Sequence, residues 1–231
     1  MPPKVPMSRP MVVCIEGNIA SGKTTFVNSF KKLADVHTFE EPVKEWRSVP
    51  GVSGSHNLLQ LLYSDPKRWS FAFQHYVQLT MLKVHECPAN APMKVMERSI
   101  HSARHCFVEN LFRSGNMTSA EYAVLDEWYK WIRENRNVNP DVIVYLRTCP
   151  ETVHNRIKSR GRPEEQSISL NYLKSLHELH EAWIANSGCQ VMTLDANLAV
   201  PEVEKRFLDA KDSYGFPSVF GTQVQVISAS D

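Results

Sequence analysis

The chain has 231 residues, 42% of them hydrophobic and 22% charged, with a formal net charge of +1; that length suits one α/β domain around a single core. The near-neutral balance carries no basic field of the kind that draws a nucleic-acid polymer or an anionic membrane surface, and no apolar run approaches transmembrane length. Five cysteines scattered without a CxxC pair argue against a disulfide framework and for a reducing compartment, cytoplasmic or nuclear, or mitochondrial if a leader has been removed.

Residues 1–10 are proline-bearing and read as a flexible N-terminus rather than an amphipathic Arg-rich leader. Residues 11–15 are nearly all apolar, as a central strand buried on both faces should be. Gly17-Asn18-Ile19-Ala20-Ser21-Gly22-Lys23-Thr24 follows, and a helix is expected over 23–34. Strand before and helix after make this stretch a phosphate-binding P-loop: the glycines permit a backbone that turns N–H groups at phosphate oxygens, Lys23 reaches the β- and γ-phosphates, and the Thr24 hydroxyl suits Mg²⁺. A short strand over 36–39 delivers Glu40-Glu41-Pro42, and a turn-rich stretch covers 48–55. A short apolar helix comes next. Pro66 then sits in the first turn of a long helix with an inward stripe, stopping near Pro88.

Residues 93–96 form the third strand, ending at Glu97-Arg98, and helices are expected over 100–112 and 119–134. Residues 141–146 are the clearest β run. A helix opening at Pro150 leads into Arg156, Arg160 and Arg162; further elements are a helix over 170–184, a fifth strand over 190–194 and a last helix over 201–210. The domain is bounded at 11–212, and residues 213–231 carry no firm signal, as a disordered tail would. The alternation predicts an α/β fold, a five-stranded parallel sheet covered by helices on both faces. In such a sheet the strand ends share one edge, where ligands bind. That edge gathers the P-loop, Glu41, Glu97, Arg98 and the arginine run, a set suited to phosphoryl transfer between a triphosphate and an acceptor. Glu41 is the candidate general base; the neighbouring charge of Glu40 favours a proton on Glu41, moderated because adjacent strand residues point to opposite faces, and Glu40 itself reads as a solvated surface carboxylate.

Residues 15–25, Glu41-Pro42-Val43, Phe73-Gln74-His75-Tyr76-Val77, residues 96–104 and Tyr145-Leu146-Arg147-Thr148 together resemble the deoxynucleoside kinase family, on the side of its insect-type multisubstrate and mitochondrial thymidine kinase branch. The resemblance runs from Val12 to about Asp195. It implies a P-loop kinase fold with an arginine-rich lid near 156–168, ATP as phosphate donor, Mg²⁺, a deoxynucleoside 5′-OH as acceptor, and a homodimer. The phosphate-binding set is then Gly17, Asn18, Ile19, Ala20, Ser21, Gly22, Lys23, Thr24 and Thr25 with Arg156. Glu97 joins Thr24 in the Mg²⁺ shell, Arg98 meets the reacting 5′ oxygen, and Arg160 and Arg162 steady the transferring phosphoryl group. Gln74 reads the base edge, Phe107 stacks on the base, Tyr63 with Glu165 holds the sugar 3′-OH, and Trp46, Val77, Met81 and Ala103 line the pocket. Two positions depart from the family pattern: Glu40, where relatives carry an uncharged residue, and Arg162-Pro163 in the lid.

Two rival readings share the P-loop. A nucleotide-dependent switch of the GTPase kind needs an Asn-Lys-x-Asp segment, and Asn-Lys occurs nowhere. A nucleoside monophosphate kinase needs arginines for an acceptor phosphate, and carboxylates stand after strand two. The pairs His101/His105 and His177/His180 have metal-like spacing without an evident third ligand, and we read them as structural.

Overall fold

The structure, a computed structural model, describes residues 9–216; positions 1–8 of the expected flexible N-terminus and 217–231 of the expected tail lie outside the described residues. Its strands are β1 Met11–Glu16, β2 Val36–Phe39, β3 Val49–Gly51, β4 Gly54–His56, β5 Met93–Glu97, β6 Val142–Arg147 and β7 Gln190–Asp195. Five of them form one parallel sheet in the order β2-β5-β1-β6-β7. The central strand β1 sets Ile15 opposite Glu97 of β5 on one side and Val144 of β6 on the other. All of these strands therefore deliver their C-terminal ends to one edge.

Alternation along each strand divides the core. Val13, Ile15, Val95, Val144 and Leu146 pack on one face against helices α1 (Lys23–Ser29) and α10 (Val200–Ala210). There Phe26, Phe30 and Phe207 meet edge to face with centroids 5.1–5.5 Å apart. The opposite face meets helices α4 (Pro66–Glu86) and α9 (Leu170–Ala185). On that face buried Lys94 gives its ammonium to the carbonyls of Val84, His85 and Cys87 at 2.6–2.7 Å, closing the C-terminus of α4. Tyr145 stacks on His180 of α9 with rings 6.3 Å apart. Among the described residues no helix is long and apolar enough to cross a membrane.

Three local expectations need correction. The helix expected over 23–34 is α1 to Ser29 and then a 3₁₀ turn, Phe30–Lys32, because the chain has only a few residues in which to turn into β2 and the last turn tightens. The turn-rich stretch is ordered: a short helix α2 (Val43–Arg47) runs into the antiparallel β3–β4 hairpin, and α3 (Leu58–Ser64) follows under an Asn57 cap. The helix over 100–112 is α5 (Ile100–Ser102), a π-helical stretch Ala103–Val108 and α6 (Glu109–Arg113) in succession. Helix α7 (Ser119–Asn135) begins at a reciprocal Thr118/Glu121 capping box. Helix α8 (Pro150–Arg160) stops at Gly161, whose φ of +66° is the left-handed cap that glycine adopts most readily. After α10 a 3₁₀ turn, Lys211–Tyr214, brings Phe216 into the core.

Candidate active site

Gly17 leaves β1 at φ +145°. A Cβ there would stand 2.7 Å from the Leu146 carbonyl oxygen and 2.7 Å from Ser21 Oγ, so the turn admits glycine alone. Asn18 fastens the loop from behind, its amide donating to Leu173 O of α9 at 2.9 Å. Gly17 and Asn18 thus shape the loop, whereas 19–25 line a cleft of about 980 Å³ at the sheet edge. Buried Lys23 turns its ammonium onto the loop, donating to Asn18 O at 2.7 Å and Gly17 O at 3.1 Å. Burial, reinforced by the Arg98 cation, lowers its pKa to about 7.

Carboxylates and one guanidinium meet in front of this loop. Thr24 Oγ1 donates to Glu97 Oε1 at 2.7 Å, and Glu97 Oε2 accepts from Glu41 N at 3.5 Å. Arg98 Nε lies 3.0 Å from Glu41 Oε1, an ion pair too oblique for a hydrogen bond, so buried Nε and Nη1 have no hydrogen-bond partner. The guanidinium also stands 4.7 Å over the Phe107 ring. Burial raises the pKa of Glu41; Arg98 opposes the rise and Glu97 adds to it. Glu40 turns outward to Lys31 Nζ at 2.5 Å, on the solvent side where strand alternation puts it. Adjacent positions at a strand end point to opposite sides, which separates the two glutamates.

One end of the cleft is apolar. Trp46 donates Nε1 to Thr80 Oγ1 at 2.8 Å and meets Phe73 edge to face, and Val77, Met81 and Ala103 extend this wall. Buried Gln74 lines the same end with its Oε1 unpartnered. Ala103 and Phe107 reach the cleft from the π-helical stretch, while Arg104 beside them turns away to Asp126 and Tyr122 of α7. On the facing side Glu165, in the 3₁₀ turn Pro163–Glu165, is gripped by Arg160 and by Arg162 Nη1, the latter at 3.2 Å. Tyr63 is half-buried nearby, and desolvation of its hydroxyl first, with Tyr172 and Glu165 next, holds that hydroxyl well above the ordinary pKa. Arg156 donates to Ala196 O at 2.9 Å.

The structure therefore brings the expected residues to one cleft, Gly17 and Asn18 behind it. Sequence reasoning missed Glu16, Arg47 and Tyr172. Arg47 lies on the cleft wall and pairs with Glu164 across its mouth. Tyr172 sits on a helix stripe that reads as core, and the sole hint of Glu16 is a carboxylate ending an apolar strand just before Gly17. Three of the four histidines with metal-like spacing make structural hydrogen bonds: His101 with Tyr129 OH at 2.8 Å and Val138 O at 3.1 Å, His105 with Tyr129 OH at 3.1 Å, and His180 with Leu176 O at 2.6 Å.

A parallel sheet whose central strand runs into this loop, with charged residues at the neighbouring strand ends, is a P-loop kinase fold. The family described as deoxynucleoside kinase matches residues 13–214. The chain belongs to the deoxynucleoside kinase family. Mitochondrial thymidine kinase 2 of Macaca fascicularis is 53% identical over 173 residues, 75% of this chain and 64% of that protein, and the Homo sapiens protein of the same name gives the same figures. Deoxycytidine kinase of Rattus norvegicus is 34% identical over 228 residues, 85% of this chain and 88% of that protein. The match spans 64% of the length of each thymidine kinase.

Proposed function

We propose that the chain transfers the γ-phosphoryl group of ATP to the 5′-OH of deoxynucleosides, thymidine and deoxycytidine above purine deoxynucleosides, in nucleotide salvage. The observation that carries this reading is one continuous cleft with a P-loop at one end, an apolar pocket holding an unpartnered Gln74 oxygen at the other, and the Glu41–Arg98 pair between. Glu41 takes the proton of the attacking hydroxyl. Arg98 steadies the developing oxyanion, and Lys23, Arg160 and Arg162 draw charge from the transferring group as they exchange their present partners for phosphate. Arg156 holds the donor nucleotide. Tyr63 and Glu165 hold the sugar 3′-OH, and Phe107 stacks on the base.

The donor set of Thr24 hydroxyl and Glu97 carboxylate is oxygen-only and fits Mg²⁺, which those residues would hold. When bound, Mg²⁺ neutralises phosphate charge. A homodimer is supported by the stripe of Val124, Trp128 and Trp131 on α7, which are 45%, 50% and 45% exposed, beside Leu79 of α4 at 48%. We place the protein in the cytoplasm or nucleus, or in mitochondria if a leader is removed. Incubating the purified protein with γ-labelled ATP and a panel of nucleosides and nucleoside monophosphates tests the reaction. Label in deoxynucleoside monophosphates is expected; label in inorganic phosphate alone, or in diphosphates, would refute it.

A further inference from the structure

Glu16 closes β1, and no step proposed above uses it. It is fully buried; Oε1 accepts a hydrogen bond from Ser99 Oγ at 2.6 Å, and Oε2 has no partner. Burial pushes this carboxyl up to about 7 against the pull of Arg98 and of the Ser99 and Ser102 hydroxyls. A carboxylate oxygen buried without a partner lowers stability, so packing alone does not explain a glutamate here.

The hydroxyl that Glu16 engages has a second task. Ser99 Oγ accepts from the N–H groups of His101 and Ser102 at 3.2 and 3.4 Å, capping α5. One residue earlier, Arg98 N donates to Ile15 O at 2.9 Å. Consecutive residues of β1 thus grip consecutive residues of the turn after β5, one through backbone and one through side chain. Between the two grips lies the φ torsion of Arg98, at +63°, a left-handed conformation that a long side chain avoids. With Nε and Nη1 lacking hydrogen-bond partners, the guanidinium is held by its ion pair with Glu41 and by the Phe107 ring, and the backbone corner fixes where the side chain starts out toward both.

We propose that Glu16 is the positioning residue of Arg98: through Ser99 its carboxylate locks the backbone corner that aims the guanidinium at Glu41 and at the acceptor oxygen. The inference rests on the kinase reading of the cleft and adds to it a residue that never touches substrate. It also explains why the strand keeps a carboxylate that costs stability.

The test compares Glu16→Met, Glu16→Gln and Ser99→Ala in the full chain. Glu16→Met fills the volume without the tether; it is expected to melt at or above wild type, with kcat about ten- to a hundredfold lower and both KM values within about threefold. Glu16→Gln still offers Ser99 a carbonyl and should keep kcat within about threefold of wild type. Ser99→Ala should reproduce the fall in kcat, and the double variant Glu16→Met/Ser99→Ala should fall no further. A lower melting temperature with unchanged kcat in Glu16→Met, or a Glu16→Gln variant as impaired as Glu16→Met, would overturn the proposal. Crystal structures separate it from the kinase reading: Arg98 should leave the left-handed region in Glu16→Met, or in Ser99→Ala if the former does not fold. Arg98 retained near φ +63° would refute the tether whatever the wild type phosphorylates, whereas a wild type inactive on every deoxynucleoside refutes the kinase reading alone.

Discussion

Glu41 and Glu40 are neighbours in sequence and separate in chemistry. Glu41 sits in the cleft beside Arg98, and Glu40 turns out to Lys31. We expect Glu41→Gln to fold and bind nucleoside while kcat falls by about two to four orders of magnitude, the range for losing a general base, and Glu40→Gln to leave kcat near wild type; steady-state kinetics on both variants checks this. Because burial raises the pKa of Glu41 above the ordinary 4.5, and the base acts only when ionised, the acid limb of kcat/KM should lie above that value and vanish in Glu41→Gln. The charged and phosphate-loop part of the cleft was legible because the P-loop, Glu41-Pro42 and Glu97-Arg98 each stand at a strand end; Gln74, Phe107, Tyr63 and Glu165 were legible only through the family resemblance, and Arg47 and Tyr172 were not. Strand alternation also separates Glu40 from Glu41 and reads Glu40 as a solvated surface carboxylate; its partner Lys31 was not legible, since nothing in the sequence marks that pairing.

At the scale of elements, the strands and long helices follow from apolar runs and helical stripes, and the parallel order from their alternation. The β3–β4 hairpin was illegible because proline, glycine and serine in 48–55 read equally as an irregular turn. The π-helical stretch Ala103–Val108 was hidden because its apolar stripe is that of an ordinary helix; Ala103 and Phe107, four residues apart on one face, line the cleft while Arg104 reaches α7. Lys94 reads as an interruption in a buried strand, and its role comes from α4 ending above it. Lys94→Met would leave the carbonyls of Val84, His85 and Cys87 without that donor. We expect it to lower the free energy of unfolding by at least about 2 kcal/mol, measured by urea denaturation; an unchanged midpoint would contradict the capping role.

For the molecule as a whole, stability is tied to pH through buried histidines. His180, stacked on Tyr145 with Nε2 unpartnered, is held neutral by burial and secondly by Arg98, its pKa lowered from 6.5 to about 3. The unfolded chain takes up that proton from pH 6.5 downward and the folded protein does not until near 3, so the contribution is whole above 6.5 and lost on acidification at about 1.4 kcal/mol per pH unit. The stability advantage of wild type over His180→Gln should therefore shrink by about 2–3 kcal/mol between pH 7 and 4.5; a constant difference in denaturation curves would contradict it. The proposed activity depends on one cleft that joins a phosphate loop to an apolar pocket holding an amide able to present either a donor or an acceptor. On the proposed reading Gln74 would meet thymine or cytosine by turning over, with uncharged Met81 and small Ala103 of the cleft wall beside the base. The measurement that tests this most directly is kcat/KM for thymidine and deoxycytidine on the same preparation. Values within about tenfold are expected, since one methyl group in an apolar pocket is worth roughly 1–3 kcal/mol, with both activities falling together in Gln74→Glu; a thousandfold preference for either nucleoside, or loss of only one activity in Gln74→Glu, would rule out the turning amide.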